Sequence, residues 1–236
     1  LEGKEGAAVL TATEELAAGA QVFIDYGEAG WRSSWEMLYT YGFVPGQTSA
    51  EWAASGGRPM YFEGISESDG LYQQKRAVFD ALAGGEDESC WAGMWVDLQP
   101  DPTTCLAMAP LLRLAELPAE DGSSELSSVV ESLRKWEAGP LETWQRLQRP
   151  LDVTIEARVA TRIITQCEES LAQMPAVEKL AAAAEAPSAE EEADSDGSAM
   201  RARMAARVLL GERCALVACI ALWRREEAAV TAALGE

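Results

Sequence analysis

Two long helical segments near the C-terminal end constrain the fold of this chain most. Between Pro150 and Met174, apolar residues recur at every fourth position: Leu151, Ile155, Val159, Ile163, Cys167 and Leu171. Because an α-helix turns once in about 3.6 residues, this spacing places the six side chains along one side of one helix. A second long helix is predicted from about Ser198, and its broad apolar face carries Met200, Met204, Val208, Ala215, Cys219 and Trp223. Such faces must be buried against other elements, so the sequence predicts a mainly α domain.

Shorter elements are predicted ahead of these helices. Two strands are expected over residues 8–13 and 21–26, and a helix over 33–41 that Gly42 ends. Residues 47–58 are rich in Ser, Gly and Ala and predict a linker. The remaining predictions are a strand over 60–65, an ambiguous strand or loop over 90–98, and helices over 71–82, 102–117 (kinked or split at Pro110), 123–136 and 176–186.

An acidic segment separates the last two helices. Residues 186–198 read APSAEEEADSDGS and contain no aliphatic residue larger than alanine. A segment of this composition cannot bury enough apolar surface to offset the entropy of ordering it. The sequence therefore predicts a disordered or mobile loop there.

Composition limits the classes of partner. The chain has 236 residues, of which 48% are apolar, so it is long and apolar enough to form a globular core. No apolar stretch approaches the length of a membrane span. With 19 basic and 39 acidic residues the net charge is −20, which repels nucleic acid and anionic membrane surfaces and attracts basic proteins. We expect neither nucleic acid nor membrane as a partner, although the charge could also serve only to keep the protein in solution.

Histidine and cysteine usage excludes several chemistries. The chain has no histidine, so Ser–His or Cys–His dyads and His-based zinc sites cannot form within it. The cysteines are odd in number and lack the paired spacing of metal ligands: Cys90, Cys105, Cys167, Cys214 and Cys219. This pattern favours free, mostly buried thiols in a reducing, intracellular setting, and no metal site is predicted.

Residues 17–44 carry the candidate site. Tyr26 ends the second predicted strand and is followed by Gly27, and Tyr41 is followed in the same way by Gly42. Two tyrosines beside glycine turns can form an aromatic slot that holds the aliphatic stem of a lysine. Loss of water there would lower the pKa of the ammonium and favour the neutral, nucleophilic amine. Judged from residue type alone, such tyrosines are more often ordinary core aromatics with their hydroxyls at the surface.

The order of motifs in this stretch resembles a known family. The strings ELAAGAQVFIDYG and SSWEMLYTYGFVP are similar to the C-terminal end of a SET domain of the Rubisco large-subunit lysine methyltransferase type. The matching features are the glycine turn Ala18-Gly19-Ala20, the strand end Tyr26-Gly27, the helix Glu36-Met37-Leu38 and the closing Tyr41-Gly42-Phe43. The later helices, including MRARMAARVLLGERCAL over 200–216, resemble the all-helical substrate-binding domain that follows SET in this subgroup. The resemblance implies a SET remnant with strands over residues 1–47 and a helical substrate-binding-like domain over 48–236.

The resemblance also implies a function. It implies a protein-lysine N-methyltransferase that uses S-adenosylmethionine and whose partner is a protein substrate with a target lysine. Tyr26 would be the catalytic tyrosine, Tyr41 a wall of the substrate lysine channel, and Phe43 a residue on the cofactor side. The family's Asn-His motif and main cofactor loop precede the matched segment, so most of the cofactor site is expected upstream and this chain alone is expected to be inactive.

A second interpretation stays open from the sequence. The chain could be a non-catalytic helical interaction module that carries a truncated SET remnant. It begins at Leu1 and shows no targeting segment, so we expect a fragment whose compartment could be a plastid, the cytoplasm or the nucleus.

Overall fold

A computed structural model describes most of the chain. The described residues are 2–4, 7–9, 17–19, 34–46, 48–83, 93–99, 101, 103–118, 124–134, 139–185 and 198–234. The predicted strand 21–26, with Tyr26, lies outside them, as does the acidic segment apart from Ser198. The chain divides into two compact units, residues 1–31 and 32–236. The predicted domain boundary at residue 47 concerns the resemblance to SET and stays a prediction.

The described part of the first unit is a small antiparallel pair of strands. Strand β1 (Glu2–Lys4) pairs with β2 (Ala7–Val9), with Gly3 opposite Ala8. Strand β2 includes the start of the predicted strand 8–13. Gly19 has φ +82°, the left-handed conformation expected of the glycine in the predicted turn.

The second unit is mainly α, which confirms the predicted fold class. Its strands β3 (Arg58–Glu63) and β4 (Gly93–Leu98) form one antiparallel ribbon. Its described helices are α1 (Ser34–Tyr41), α2 (Ser49–Ala54), α3 (Tyr72–Ala83), α4 (Thr103–Leu106), α5 (Ala109–Glu116), α6 (Ser124–Arg134), α7 (Pro140–Leu147), α8 (Val153–Ala172), α9 (Val177–Ala184) and α10 (Ser198–Leu234).

Helices α8 and α10 form the centre of the main core. Ile155, Val159, Ile163 and Cys167, on the predicted stripe of α8, are fully buried and share one hydrophobic cluster with Ala215, Leu216, Cys219 and Trp223 of α10. Asp152 caps the N-terminus of α8, because its side chain accepts a hydrogen bond from the Thr154 amide at 2.8 Å. The stripe predicted from the sequence is confirmed.

Helices α4 and α5 replace one long helix because of Pro110. The predicted split is confirmed, with Pro110 in the first turn of α5, where a missing N–H breaks no helical hydrogen bond. The end of α5 is held by the buried Lys75. The Lys75 ammonium donates to the Ala115 and Leu117 carbonyls at 3.0 and 2.7 Å and to Asp69 at 2.6 Å.

A buried ion pair joins three helices of the main core. The Arg113 guanidinium of α5 donates to both carboxylate oxygens of Glu156 on α8, at 2.7 and 2.8 Å, and to the Leu147 carbonyl at the end of α7 at 2.8 Å. The Leu151 amide donates to the same carboxylate at 3.2 Å. The bidentate geometry uses most of the polar atoms of the pair, as burial requires.

The predicted linker over residues 47–58 is wrong. Thr48 accepts a hydrogen bond from the Glu51 amide at 3.2 Å and starts α2, and Trp52 is buried at 2% exposure. Gly56 serves close packing, because a Cβ on it would lie 2.2 Å from the Cα of Gly211 in α10. Composition alone suggested a linker because small residues suit both a flexible segment and a tight interface.

Candidate functional site

Helix α1 positions the candidate aromatic residues. The buried Ser34 hydroxyl donates to the Ser55 carbonyl at 3.0 Å, which ties the start of α1 to the end of α2. Trp35 and Leu38 pack on a second hydrophobic cluster that α9 and α10 complete. The members of that cluster are Val44, Trp52, Leu180, Ala184, Ala206, Val208 and Leu210.

Gly42 ends α1 and brings two predicted site residues together. Its φ of +78° is in the left-handed region, and its amide donates to the Leu38 carbonyl at 2.9 Å. Val44 is then buried at 4% exposure, whereas Tyr41 and Phe43 are 37% and 46% exposed. The Tyr41 and Phe43 ring centroids are 6.3 Å apart with a 45° tilt. Tyr26, the predicted catalytic residue, lies outside the described residues.

This pair can supply two aromatic faces and one hydroxyl. The separation and tilt are those of an ordinary aromatic pair, and both rings keep surface available to another group. Such a surface can pack along the methylene stem of a lysine or along an apolar part of a cofactor. The roles predicted for Tyr41 and Phe43 stay predictions.

A cation–π contact supports the layer beneath α1. The Arg207 guanidinium of α10 lies 4.3 Å from the ring centroid of Trp52, and its Nε donates to the Ala184 carbonyl at the end of α9 at 3.2 Å. Arg207 therefore joins α2, α9 and α10.

Two adjacent residues of α10 hold the segment that follows α2. Gly211 allows the backbone at Gly56 to approach, and Glu212 accepts a hydrogen bond from Arg58 at 2.5 Å. Burial raises the pKa of the Glu212 carboxyl, and the Arg58 charge opposes that rise. In the sequence this Gly-Glu pair is part of the segment 200–216 that resembles the family's helix, and its local pattern does not indicate these contacts.

Sequence reasoning missed an exposed aromatic pair on the ribbon. Tyr61 of β3 and Trp95 of β4 are directly opposite each other, and their ring centroids are 5.5 Å apart. Buried and exposed residues alternate along Met60–Glu63, which places Tyr61 on the outward side, but the apolar string Met-Tyr-Phe gives no such alternation in the sequence. The pairing with Trp95 was not readable, because residues 90–98 were ambiguous between strand and loop.

Neither a metal site nor a membrane span is found in the described part of the chain. Among the described residues no group of three or more Cys, Asp or Glu side chains could hold a metal ion. No helix in that same set is both long and apolar enough to cross a bilayer.

The fold of the second unit defines a class of helical domain in which a short ribbon packs beside two long helices. Residues 66–216, more than half of the chain, match the family described as "Rubisco LSMT substrate-binding", and the chain belongs to that family. The family assignment confirms the resemblance seen in the sequence. No curated protein sequence matches the chain.

Solved structures with the same fold include several of Rubisco LSMT. The chain is 19% identical to "Structure of Rubisco LSMT bound to AdoMet", with a TM-score of 0.62 over 89% of this chain and 42% of that one. It is 20% identical to "Structure of Rubisco LSMT bound to Sinefungin and Monomethyllysine", with the same TM-score and coverage. For "Crystal structure of the SET domain of LSMT bound to Lysine and AdoHcy" the values are 20%, 0.61, 89% and 41%. The chain therefore spans less than half the length of these relatives.

Proposed function

We propose that this chain forms the substrate-binding domain, with the adjoining end of the SET domain, of a protein-lysine N-methyltransferase that uses S-adenosylmethionine. The family match over residues 66–216 carries the proposal. It is supported by the SET-like motifs that precede that match and by the similar structures of Rubisco LSMT bound to AdoMet and of LSMT bound to lysine and AdoHcy. Because the chain spans 42% of the first of these relatives, the methyltransferase activity is proposed for a protein that contains this chain.

The proposed roles follow from the chemistry of methyl transfer. The sulfonium of S-adenosylmethionine is already a good electrophile, so the protein has mainly to orient a neutral lysine amine and exclude water. We assign orientation of the amine to the Tyr26 hydroxyl and the wall of the lysine channel to Tyr41. Phe43 would offer an apolar face on the cofactor side. Its 46% exposure leaves room for that contact.

The test measures transfer of labelled methyl groups from S-adenosylmethionine to protein lysines by a protein that contains this chain. We expect Tyr26→Phe to lower turnover by at least about 100-fold without changing the melting temperature, since an orienting hydrogen bond is lost. Tyr41→Ala should weaken use of the protein substrate. Tyr39→Phe is the matched control, because Tyr39 is on the same helix, is 88% exposed and has no proposed role. Near-normal turnover by Tyr26→Phe would reject the catalytic assignment.

A calorimetric titration of this chain with S-adenosylmethionine tests how the cofactor site is divided. We expect no measurable heat of binding, because the Asn-His motif and the main cofactor loop of the resembling family have no counterpart in this sequence. Tight binding would overturn that division. Complete absence of methyl transfer by a protein containing the chain would favour the alternative, a non-catalytic interaction module.

A further inference from the structure

The β3–β4 ribbon has one buried and one open face. Met60 and Phe62 are buried in the main core, and Met94 and Val96 opposite them pack against it. Because side chains alternate along a strand, their neighbours project the other way. That outward face carries Tyr61, Glu63, Trp95 and Asp97, which are all exposed.

The aromatic pair on this face is a continuous apolar surface. Trp95 is 71% exposed and Tyr61 is 38% exposed, and their rings are tilted by 55° at a centroid separation of 5.5 Å. A tryptophan ring is among the largest apolar groups a protein can bury, and leaving most of it in water forgoes that stabilisation. Single exposed apolar side chains are common on protein surfaces, whereas Tyr61 and Trp95 adjoin each other. Adjoining exposed aromatics favour an interaction site.

Gly93 sets the position of the Tyr61 ring. A Cβ built on Gly93 would lie 2.2 Å from the Tyr61 hydroxyl and 2.3 Å from its Cζ. The tyrosine ring therefore lies across the backbone of β4, in space that any other residue would fill. This arrangement holds Tyr61 against the ribbon while the neighbouring Trp95 stays open.

The backbone edge of β3 is covered. Gln166 of α8 donates to the Tyr61 carbonyl and Arg162 donates to the Glu63 carbonyl, and both use backbone acceptors at that edge. A strand from a partner could not pair there without displacing these side chains. The outward face presents side chains only, so a partner that binds there is recognised through contacts with side chains.

Carboxylates flank the aromatic pair. Glu63 lies beyond Tyr61 on one strand and Asp97 beyond Trp95 on the other. Desolvation and the negative charge of Glu36 raise the pKa of Asp97, a smaller part coming from Glu212, and Gln99 donates to Asp97 at 2.6 Å. Two cations of the ribbon region are engaged among the described residues, since Arg58 pairs with Glu212 and Arg162 with Glu116. Together with a net charge of −20, this face is complementary to a cationic partner.

We propose that the outward face of the ribbon, formed by Tyr61, Trp95, Glu63 and Asp97, docks a lysine- and arginine-rich unstructured segment of a protein partner. Cationic side chains bind over the open Trp95 ring and pair with the two carboxylates. A second copy of the chain is disfavoured, because it would bring together two molecules of charge −20. The identity of this partner as the methylated substrate rests on the proposed function.

The test is fluorescence anisotropy with a labelled peptide of alternating arginine, glycine and lysine, without S-adenosylmethionine. We expect saturable binding to the intact chain, weakened at least about tenfold by Trp95→Ala and less by Trp95→Phe, because the phenyl ring keeps part of the cation–π contact. The matched control for lost apolar area is Leu141→Ala, since Leu141 of α7 is 63% exposed and far in sequence from the ribbon. That control should bind as the unaltered chain does.

A pair of charge variants separates a specific site from general attraction. Asp97→Asn and Glu142→Gln each remove one negative charge, and the Glu142 side chain is 59% exposed on α7. We expect only Asp97→Asn to weaken binding. Equal weakening by both would overturn the proposal in favour of non-specific attraction, as would unchanged binding by Trp95→Ala.

Further measurements distinguish a basic peptide from other occupants of the face. Self-association of the chain in sedimentation that Trp95→Ala abolishes would assign the face to a second copy and overturn the proposal. Binding that is lost in a longer protein containing this chain would assign it to an internal contact, with the same consequence. Because the assay needs no methyl transfer, peptide binding without methylation would uphold the docking face and count only against the proposed function.

Discussion

Replacing Gly211 by alanine tests the backbone contact between α10 and the segment after α2. In an unobstructed helix interior this change stabilises a protein by about 1 kcal/mol, because glycine has the larger conformational freedom to lose. Gly211 is not unobstructed. A Cβ there would lie 2.5 Å from the Cα of Gly56 and 2.7 Å from the Trp52 carbonyl oxygen.

The magnitude follows from that overlap. Carbon atoms in favourable contact are about 3.5–4.0 Å apart, so the two backbones must separate by about 1 Å. Neither neighbour can rotate away, since both are main chain. Overpacking of this kind costs about 1–3 kcal/mol, and separation also loosens the cluster around Trp52 and Leu210. We take the overpacking cost near its upper end, about 3 kcal/mol, and subtract the helical gain of about 1 kcal/mol. The expected net loss of unfolding free energy is about 2 kcal/mol, which lowers the melting temperature by about 4–8 °C for a chain of this size.

The measurement is thermal and urea unfolding followed by far-ultraviolet circular dichroism. Ala205→Gly is the matched control, because Ala205 is exposed on the same helix and reports the bare helical preference for alanine. If the contact is as close as described, Gly211→Ala and Ala205→Gly both destabilise, although their chemical changes are opposite. A melting temperature of Gly211→Ala equal to or above that of the unaltered chain would refute the reasoning.

Three further predictions concern buried polar groups. Arg58→Met should lower the unfolding free energy by about 2 kcal/mol at neutral pH, because the Glu212 carboxylate loses its partner. The loss should be smaller in unfolding curves at about pH 5. The pKa of Glu212 is raised in the folded protein, and the stability given by such a carboxyl is lost as the pH rises through that pKa. Lys75→Met should lower the unfolding free energy by about 3 kcal/mol in urea titrations, because it leaves the Ala115 and Leu117 carbonyls unpaired and removes the charge partner of Asp69. Arg76→Met, on the same helix, should change it little. Thiol alkylation mapped by mass spectrometry should reach the buried cysteines Cys105, Cys167 and Cys219 only on unfolding. Hydrogen bonds to the other two thiols, together with burial, also raise the pKa of Cys219, which makes its reactive thiolate scarcer.

The parts of the fold that were readable from the sequence are those governed by local periodicity. The stripe on α8 and the break at Pro110 follow from rules that act within one or two helical turns, and both are confirmed. The end of α1 at Gly42 is of the same kind, since a left-handed residue is a local requirement that glycine meets best. These features needed no knowledge of what packs against them.

The parts that were missed depend on contacts between distant residues. The sequence predicts a linker over α2 because the close approach of Gly56 to Gly211, far along the chain in α10, leaves no local signal. Helix α7 was not predicted at all, although Pro140 at its first turn and a buried Leu147 are consistent with it. The Tyr61–Trp95 pair likewise depends on strand register, which the local pattern of neither strand determines.

The segment that resembles the SET domain and the compact folding unit have different boundaries at the candidate site. Tyr41 and Phe43 belong to motifs that resemble the end of a SET domain, yet α1 packs on a cluster that includes Ala206 and Leu210 of α10. The position of the two rings is therefore set by the helical unit, and the compact unit accordingly begins at Arg32. We therefore expect Gly211→Ala to alter the environment of the Tyr41 ring as well as the stability of the core. The helical unit therefore fixes the exposed aromatic surface that Tyr41 and Phe43 present, and a change in its packing reaches that surface.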